Sequence, residues 1–192
     1  MTTYPTRPHR LTRAEYDRLI ELGVFQTSDR IELIGGELMV AEPESPEHYT
    51  AIRKSVRALE IAFGPGWEVR QDGPIALDDE SEPEPDIAVV PGAPEDYRHA
   101  HPSRPALTLE ISVSSLATDR ERKASLYARA GLSDYWILNL IARVLEVYRE
   151  PVPDGSEPYS WRYARREVIL PSGRISPLAA PAATITVADL LP

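Results

Sequence analysis

The sequence predicts an α/β fold built as one domain over residues 1–192. Apolar residues recur at helical spacing in three segments, and short apolar runs typical of strands lie between them. A strand, a helix and a second strand follow one another between residues 107 and 139, a succession characteristic of α/β proteins. With 42% hydrophobic residues, the chain can bury one sizeable core.

Composition limits the classes of function. The chain has 21 Lys and Arg against 30 Asp and Glu, a net charge of −9, which argues against broad, charge-driven binding of nucleic acid. It has no cysteine, so disulfides, thiolate zinc sites and cysteine nucleophiles are excluded. No apolar run could span a bilayer and the first ten residues lack a secretory signal, so we expect a cytoplasmic protein that engages no membrane.

The first predicted element is a short amphipathic helix. Thr12 and Glu15 form a capping box at its start, and Gly23 ends it. A hairpin follows around Gly35-Gly36, because two alternating runs flank this two-residue loop. The predicted hairpin occupies residues 30–40, with its turn at Gly35-Gly36.

The hairpin's register follows from its loop. Counting outward, Ile34 pairs with Glu37 and Glu32 pairs with Met39. One face is then wholly apolar, whereas the other carries both glutamates close together along the diagonal. That second face borders either a cleft or solvent.

A long helix and four strands come next. Ser45 is a good N-cap for a helix over Pro46–Phe63, in which an apolar stripe keeps helical spacing. Strands are predicted at 67–71, 74–77, 86–90 and 107–113. The acidic run Asp78, Asp79, Glu80, Glu82 and Glu84 lacks the glycine spacing of an EF-hand, so we expect a solvated loop there.

The same signals continue to the end of the chain. Thr118 is predicted to cap a helix that runs through Lys123 to a stop at Gly131. Strands are expected at 135–139 and 144–148, with Tyr135 and Trp136 as core aromatics. Residues 151–158 are predicted to form an exposed turn, 161–170 a hairpin region and 183–191 a short terminal element.

Three charged residues suggest chemistry. Glu110 lies in the middle of an apolar strand, where a carboxylate needs a hydrogen bond, an ion pair or a cation. Asp86 begins another apolar strand, and if the two strands are neighbours both acids can converge on a hard divalent ion such as Mg²⁺. Lys123, on the following helix, would neutralise negative charge developing on a phosphate.

Several short motifs also occur in a fixed order over roughly residues 10–150. They are Ile31-Glu-Leu-Ile-Gly-Gly-Glu-Leu, Ser45-Pro-Glu-His48, Pro85-Asp86, Leu109-Glu110-Ile-Ser112, Lys123 with Tyr127, and Asp134-Tyr-Trp136. In this order they resemble the Uma-two family of restriction-endonuclease-like proteins, and the order is more specific than any one motif.

The resemblance implies a restriction-endonuclease-like core of the PD-(D/E)xK type: a central mixed β-sheet flanked by helices, with an N-terminal helix and hairpin. The core would span about 10–150, with a C-terminal extension at about 151–192. By this resemblance Asp86 is the motif aspartate and Glu110 the second acid. Ser112 replaces the usual lysine, and Lys123 supplies the displaced positive charge. Glu32 and Glu37 match glutamates of the early hairpin, and His48 matches a histidine that opens the long helix.

Each candidate also has a purely structural interpretation. Asp86 could cap a strand, Glu110 could face solvent on an edge strand, and Lys123 could lie on a solvated helix face. The hairpin glutamates could form an exposed polar face, and His48 could hydrogen-bond the backbone of its first helical turn. For Ser112 we expect a role in orienting a neighbouring group.

We therefore expect a magnesium-dependent endonuclease that hydrolyses DNA phosphodiester bonds, with Mn²⁺ as a substitute ion. Asp86 and Glu110 would bind the metal, Lys123 would stabilise the transition state, and Glu32 or Glu37 would assist. One alternative is a catalytically inactive, nuclease-like binding module of a defence or mobile-element system. Another is a hydrolase of a different phosphate ester. Homodimerisation is plausible because exposed strand edges can pair.

Overall fold

The computed structural model describes residues 7–26, 29–40 and 45–192. Its N-terminal elements are helix α1 (Arg13–Glu21), hairpin strands β1 (Ile31–Ile34) and β2 (Glu37–Val40), and helix α2 (Pro46–Phe63). Thr12 and Glu15 form the predicted capping box, and the side chain of Ser45 accepts a hydrogen bond from the backbone N–H of His48. Both helices begin where the sequence predicts.

The hairpin has the predicted register. Ile34 pairs with Glu37 and Glu32 with Met39. Gly35 and Gly36 have φ values of 58° and 79°, a region that glycine occupies without strain. Strand β1 is largely buried and β2 is largely exposed, so the hairpin is an outer layer with one strand against the body of the protein.

Six strands form the central sheet. They are β3 (Trp67–Gln71), β4 (Ile87–Pro91), β5 (Leu107–Ser112), β6 (Asp134–Asn139), β7 (Val144–Pro153) and β8 (Trp161–Ile169). They lie side by side in chain order. Strands β5 and β6 are parallel and the other neighbours are antiparallel, so the sheet is mixed, as the family resemblance implies.

The connection from β5 to β6 is a helical run in three segments. It consists of α3 (Leu116–Thr118), a π-helical turn (Asp119–Lys123) and α4 (Ala124–Arg129). Because β5 and β6 are parallel, the chain must cross over between them, and a helical run is the usual form of such a connection. Thr118 lies inside the run, so its prediction as a cap is wrong.

Helices cover both faces of the sheet. On one face the apolar side of α2 packs against Leu109, Ile111 and Trp136. On the other, α4 contributes Tyr127 to a cluster that includes Tyr135. The aromatic pair Tyr135 and Trp136 is fully buried, as predicted.

The last elements close the α2 side. Strands β9 (Arg174–Ile175) and β10 (Ile185–Thr186) pair with each other, and a 3-10 turn (Val187–Asp189) follows. Ile175, Ile185 and Val187 belong to the same hydrophobic cluster as α2. Within the described ranges, no helix is long and apolar enough to cross a membrane.

Several predictions of local structure are wrong. Residues 74–77 are not a strand: the N–H groups of Ile75, Ala76 and Leu77 donate to carbonyls of the loop residues Pro83, Pro102 and Ser81. Pro83 and Pro102 accept these hydrogen bonds but have no N–H to donate back, so a regular strand pairing cannot form. The segment 74–77 is therefore not part of a sheet.

The later differences concern where strands end. Strand β7 continues to Pro153, which pairs with Trp161, so only part of 151–158 is a turn. Residues 161–170 contain one strand, β8, which forms its hairpin with β7.

The acidic run is not a fully solvated loop. Glu82 is buried, its backbone pairs with Leu33 of β1, and its carboxylate lies 3.2 Å from Nε of Arg13. Part of the acidic segment is therefore clamped between the hairpin and α1.

Candidate active site

A cavity of about 580 Å³ opens where β1, the start of α2, the ends of β4 and β5 and the helical run meet. The side chains that give it charge are those of five acids and three basic residues: Glu32, Glu84, Asp86, Glu110, Asp119, Arg30, His48 and Lys123. Most of the predicted site residues are thus brought together in one place.

Glu110 is a buried acid that lines the cavity. It is only 4% exposed on a central strand, which contradicts its interpretation as a solvent-facing residue of an edge strand. The hydroxyl of Tyr127 donates to its Oε1 over 2.8 Å, and Nζ of Lys123 lies 3.2 Å from the same atom. Burial raises the pKa of Glu110, although the Lys123 ammonium acts in the opposite direction.

Lys123 lies between two carboxylates. Its Nζ is 3.2 Å from Oε1 of Glu110 and 3.4 Å from Oε1 of Glu32, and the residue is 8% exposed. Burial alone would lower its pKa, but the surrounding carboxylates outweigh burial and hold the pKa of Lys123 well above its ordinary value. The side chain is therefore a buried ammonium and not a solvated helix residue.

Asp86 is placed by the pairing of β4 with β5. Ile87 pairs with Leu109, and the same antiparallel register continued by one residue sets Asp86 across from Glu110. The backbone N–H of Ile111 donates to Oδ2 of Asp86 over 2.6 Å. Asp86 thus caps its strand and at the same time lines the cavity.

Two further predicted residues border these acids. His48, in the first turn of α2, has its Nε2 3.4 Å from Oδ2 of Asp86. Glu32 is 8% exposed and accepts a hydrogen bond at Oε2 from the backbone N–H of Glu84 over 3.0 Å. Burial is the main cause that raises the pKa of Glu84, and the negative charge of the nearby Glu32 raises it further.

Glu37 is not part of the cavity. It lies on the exposed hairpin strand, and its Oε2 is 2.6 Å from Nη2 of Arg122. The hydrogen bond from Arg122 lowers the pKa of Glu37. The diagonal geometry of the hairpin places the two glutamates on one side of the ribbon, but only Glu32, on the inner strand, faces the other acids.

Two acids of the cavity were not predicted as site residues. Asp119 is 2% exposed, and its Oδ2 accepts hydrogen bonds from the hydroxyls of Ser112 and Ser115. Its position one helical turn before Lys123 is a signal available in the sequence. Glu84 belongs to the acidic run that the sequence predicts to be a solvated loop, and nothing in its local pattern distinguishes it from its acidic neighbours.

The cavity is not a preformed metal cage of many ligands. Across the residues that the structure describes, no group of three or more His, Asp and Glu side chains is arranged to hold a metal ion. The predicted pair is Asp86 and Glu110. Each keeps one oxygen, Oδ1 of Asp86 and Oε2 of Glu110, without a hydrogen-bond partner among the described residues.

The mixed sheet between helices, with Asp86 immediately before β4 and Glu110 within β5, defines a restriction-endonuclease-like fold. The chain belongs to the Uma2 (Uma-two) family, described as "Putative restriction endonuclease", whose sequence profile matches residues 13–188. This confirms the resemblance found in the sequence motifs.

A solved structure supports the fold assignment. The crystal structure of a putative nuclease belonging to DUF820 from Anabaena variabilis superimposes with a TM-score of 0.68. The match covers 94% of this chain and 97% of that protein at 17% sequence identity. At this identity the likeness establishes the shared fold. No curated protein is a significant sequence match to the chain.

Proposed function

We propose that this chain is a magnesium-dependent endonuclease that hydrolyses phosphodiester bonds in DNA. The observation that carries the proposal is the meeting of Asp86, Glu110 and Lys123 in one cavity, with Nζ of Lys123 3.2 Å from Oε1 of Glu110. Two acids and one lysine are the residues that the resemblance implies for phosphodiester hydrolysis. Membership of the Uma2 family, described as "Putative restriction endonuclease", supports the same chemistry.

The two acids suit Mg²⁺. This ion prefers oxygen ligands and is commonly held by one or two carboxylates, with water and substrate phosphate in the remaining positions. Oδ1 of Asp86 and Oε2 of Glu110, which have no hydrogen-bond partner among the described residues, would hold it. When bound, the ion supplies Lewis acidity at the phosphoryl group, and Mn²⁺ shares its preference for oxygen.

Lys123 would stabilise the negative charge that grows on the phosphate during attack by water. The chain contains only two lysines, Lys54 and Lys123, so arginine supplies nearly all of its 21 Lys and Arg charges. A compact ammonium can contact two carboxylates and a phosphate oxygen together, whereas the planar guanidinium demands a fixed fork geometry. This difference explains why a lysine is used at the buried position.

His48 and Glu32 would act as positioning residues. His48 contacts the Asp86 oxygen that already accepts from the backbone, and so restricts rotation of this carboxylate. Glu32 contacts the ammonium of Lys123 from the hairpin side. Both arrangements would keep the two acids and the lysine oriented before a substrate arrives.

The acidic character of the chain affects how DNA would bind. With a net charge of −9, long-range attraction to phosphates is weak. A divalent cation would therefore be needed to bring phosphate and carboxylates together. We expect binding of DNA to strengthen when Mg²⁺ is present.

The test is cleavage of supercoiled and linear DNA by the purified protein with Mg²⁺, with Mn²⁺, or with a chelator. We expect metal-dependent cleavage by the wild type, and a loss of about 100-fold or more in Asp86→Asn and Glu110→Gln. Glu121→Gln, which removes an exposed carboxylate from the helical run that carries Lys123, is the control and should retain activity.

Two results would contradict the proposal. One is a wild type that cleaves no DNA with either metal, which would favour the catalytically inactive binding module. The other is cleavage by Asp86→Asn and Glu110→Gln at the wild-type rate. Cleavage of other phosphate esters but not of DNA would instead favour a different phosphate-ester hydrolase.

A further inference from the structure

We propose that Asp119 is a positioning residue that fixes Lys123 against Glu110, an inference that rests on the proposed function. Asp119 is 2% exposed and lines the cavity, although it contacts neither Lys123 nor Glu110 by a hydrogen bond. Its contacts run instead to the end of β5 and to β6. These contacts determine where the segment that carries Lys123 lies.

The carboxylate of Asp119 joins the helical run to β5. The hydroxyl of Ser112 donates to Oδ2 over 2.5 Å, and the hydroxyl of Ser115 donates to the same atom over 2.7 Å. Ser112 stands where the resemblance expects the lysine of the nuclease motif. Ser112, which occupies the position of the motif lysine on β5, thus anchors the helical run that carries Lys123.

The backbone of Asp119 is anchored as well. Its carbonyl accepts from the N–H of Ala124, five residues later, and from the hydroxyl of Tyr135 on β6 over 3.0 Å. Asp119–Lys123 is a π-helical turn, a rare geometry that is often found at functional sites. The hydrogen bonds from Ser112 and Tyr135 tie the start of this turn to β5 and β6.

The consequence for Lys123 follows from its place at the end of this turn. Its ammonium forms ion pairs with Glu110 and Glu32 at the end of a flexible chain of four methylenes, and the charge of Asp119 also attracts it. Without the Asp119 carboxylate, the two serine hydroxyls lose their acceptor and the turn can relax towards α-helical geometry. The ammonium would then no longer be fixed against Glu110.

The two lysines of the chain allow a direct test that does not depend on catalysis. Protein labelled with ¹³C at the lysine Cε gives two signals, and Lys54 serves as an internal reference. In the wild type, we expect the two Hε protons of Lys123 to have distinct shifts, because the side chain is held in one orientation. In Asp119→Ala we expect them to converge while the Lys54 signal is unchanged.

Conservative variants separate positioning from other roles. Asp119→Asn keeps an oxygen that accepts from both hydroxyls, so it should preserve the Lys123 pattern. Ser125→Ala is the matched control, because it removes a hydrogen bond of 2.7 Å from the same helical run to the backbone of Trp161 and leaves Asp119 intact. It should leave the Lys123 signals unchanged. If Asp119→Ala does not fold, the double variant Ser112→Ala with Ser115→Ala repeats the test from the donor side.

Cleavage kinetics give the second measurement. We expect Asp119→Ala to lower kcat by about 100-fold with a much smaller change in KM, and Asp119→Asn to retain activity within about tenfold. Unchanged Lys123 signals in Asp119→Ala, or equal damage by Asp119→Asn and Asp119→Ala, would overturn the proposal. If the wild type cleaves no DNA, the proposed function fails, whereas the lysine spectra still decide whether Asp119 positions Lys123.

Discussion

Glu146 on β7 offers a quantitative prediction about stability. Its side chain is 1% exposed and accepts hydrogen bonds from Arg120, from Tyr148 over 2.9 Å, from Arg166 over 2.8 Å and from Asn139 over 3.3 Å. Burial alone would raise the pKa of Glu146, but these hydrogen bonds outweigh burial and lower it to about 2. We expect Glu146→Gln to destabilise the protein near neutral pH.

The magnitude follows from the partners. A hydrogen bond to a charged group contributes about 1.5–3 kcal/mol, and breaking a buried ion pair costs about 3–5 kcal/mol. The guanidinium groups of Arg120 and Arg166 are 38% and 46% exposed, so their share is reduced by solvent. We expect a loss of about 3 kcal/mol, which corresponds to a fall in Tm of about 6–12 °C for a chain of this size.

The stability difference between the wild type and Glu146→Gln depends on pH, and the lowered pKa of Glu146 determines the direction of that dependence. Because the folded pKa of Glu146 lies below its ordinary value of 4.5, the carboxylate stabilises the fold fully above that value. This contribution is lost as the pH falls from about 4.5 towards about 2. The difference between wild type and Glu146→Gln should therefore shrink as the solution is acidified.

Urea unfolding followed by tryptophan fluorescence measures this difference near neutral pH and again near pH 3.5. Glu167→Gln on β8 is the matched control, because its carboxylate is 46% exposed and pairs with the exposed Arg165. It should change the free energy of unfolding by less than about 0.5 kcal/mol. A Glu146→Gln variant as stable as the control, or a difference that grows on acidification, would refute the reasoning.

Three further predictions concern the cavity and the hairpin. Glu32→Gln should reduce DNA cleavage by at least about tenfold, because it removes a carboxylate that holds the ammonium of Lys123, whereas Glu37→Gln should cleave at the wild-type rate in the same assay. Gly35→Ala should lower the free energy of unfolding by about 1–3 kcal/mol in urea, since φ is 58° and a new Cβ would meet the ring of Tyr159; an unchanged midpoint would contradict this. Mg²⁺ should raise the Tm of the wild type and leave that of Asp86→Asn unchanged, and equal shifts in both proteins would argue against Asp86 as a ligand.

Local signals in the sequence were sufficient for the outer elements. The Gly35-Gly36 loop determines the hairpin register, because a two-residue turn leaves only one way to pair the flanking residues. Ser45 and the helical apolar stripe set helix α2 over Pro46–Phe63, as predicted. In both cases the determinants lie within a few residues of the element.

Longer-range contacts explain the failures. The burial of Glu82 depends on Leu33 and Arg13, which are distant in sequence, and local composition gives no sign of them. Residues 74–77 have the composition of a strand, but their N–H groups find loop carbonyls instead of a neighbouring strand. A strand pattern predicts extended backbone more reliably than it predicts pairing.

In the candidate site, too, some features follow from the local sequence and others depend on long-range packing. Asp86, Glu110 and Lys123 could be named from the sequence, because charged residues beside apolar runs need partners and the motif order supplied the set. The separation of Glu32 from Glu37 could not be predicted, since it depends on which hairpin strand packs inward. Asp119 was missed because its role depends on the hydroxyls of Ser112 and Ser115 at the end of a different element.

We propose that a single buried lysine, Lys123 of the helical run, serves the two acids of the sheet. Nicking of supercoiled DNA in Mg²⁺ by wild type, Lys123→Met and Lys54→Met tests it most directly, because these are the only lysines in the chain. We predict that Lys54→Met cleaves like the wild type and that Lys123→Met loses about 100-fold or more of the rate. Cleavage by Lys123→Met at the wild-type rate would contradict the account.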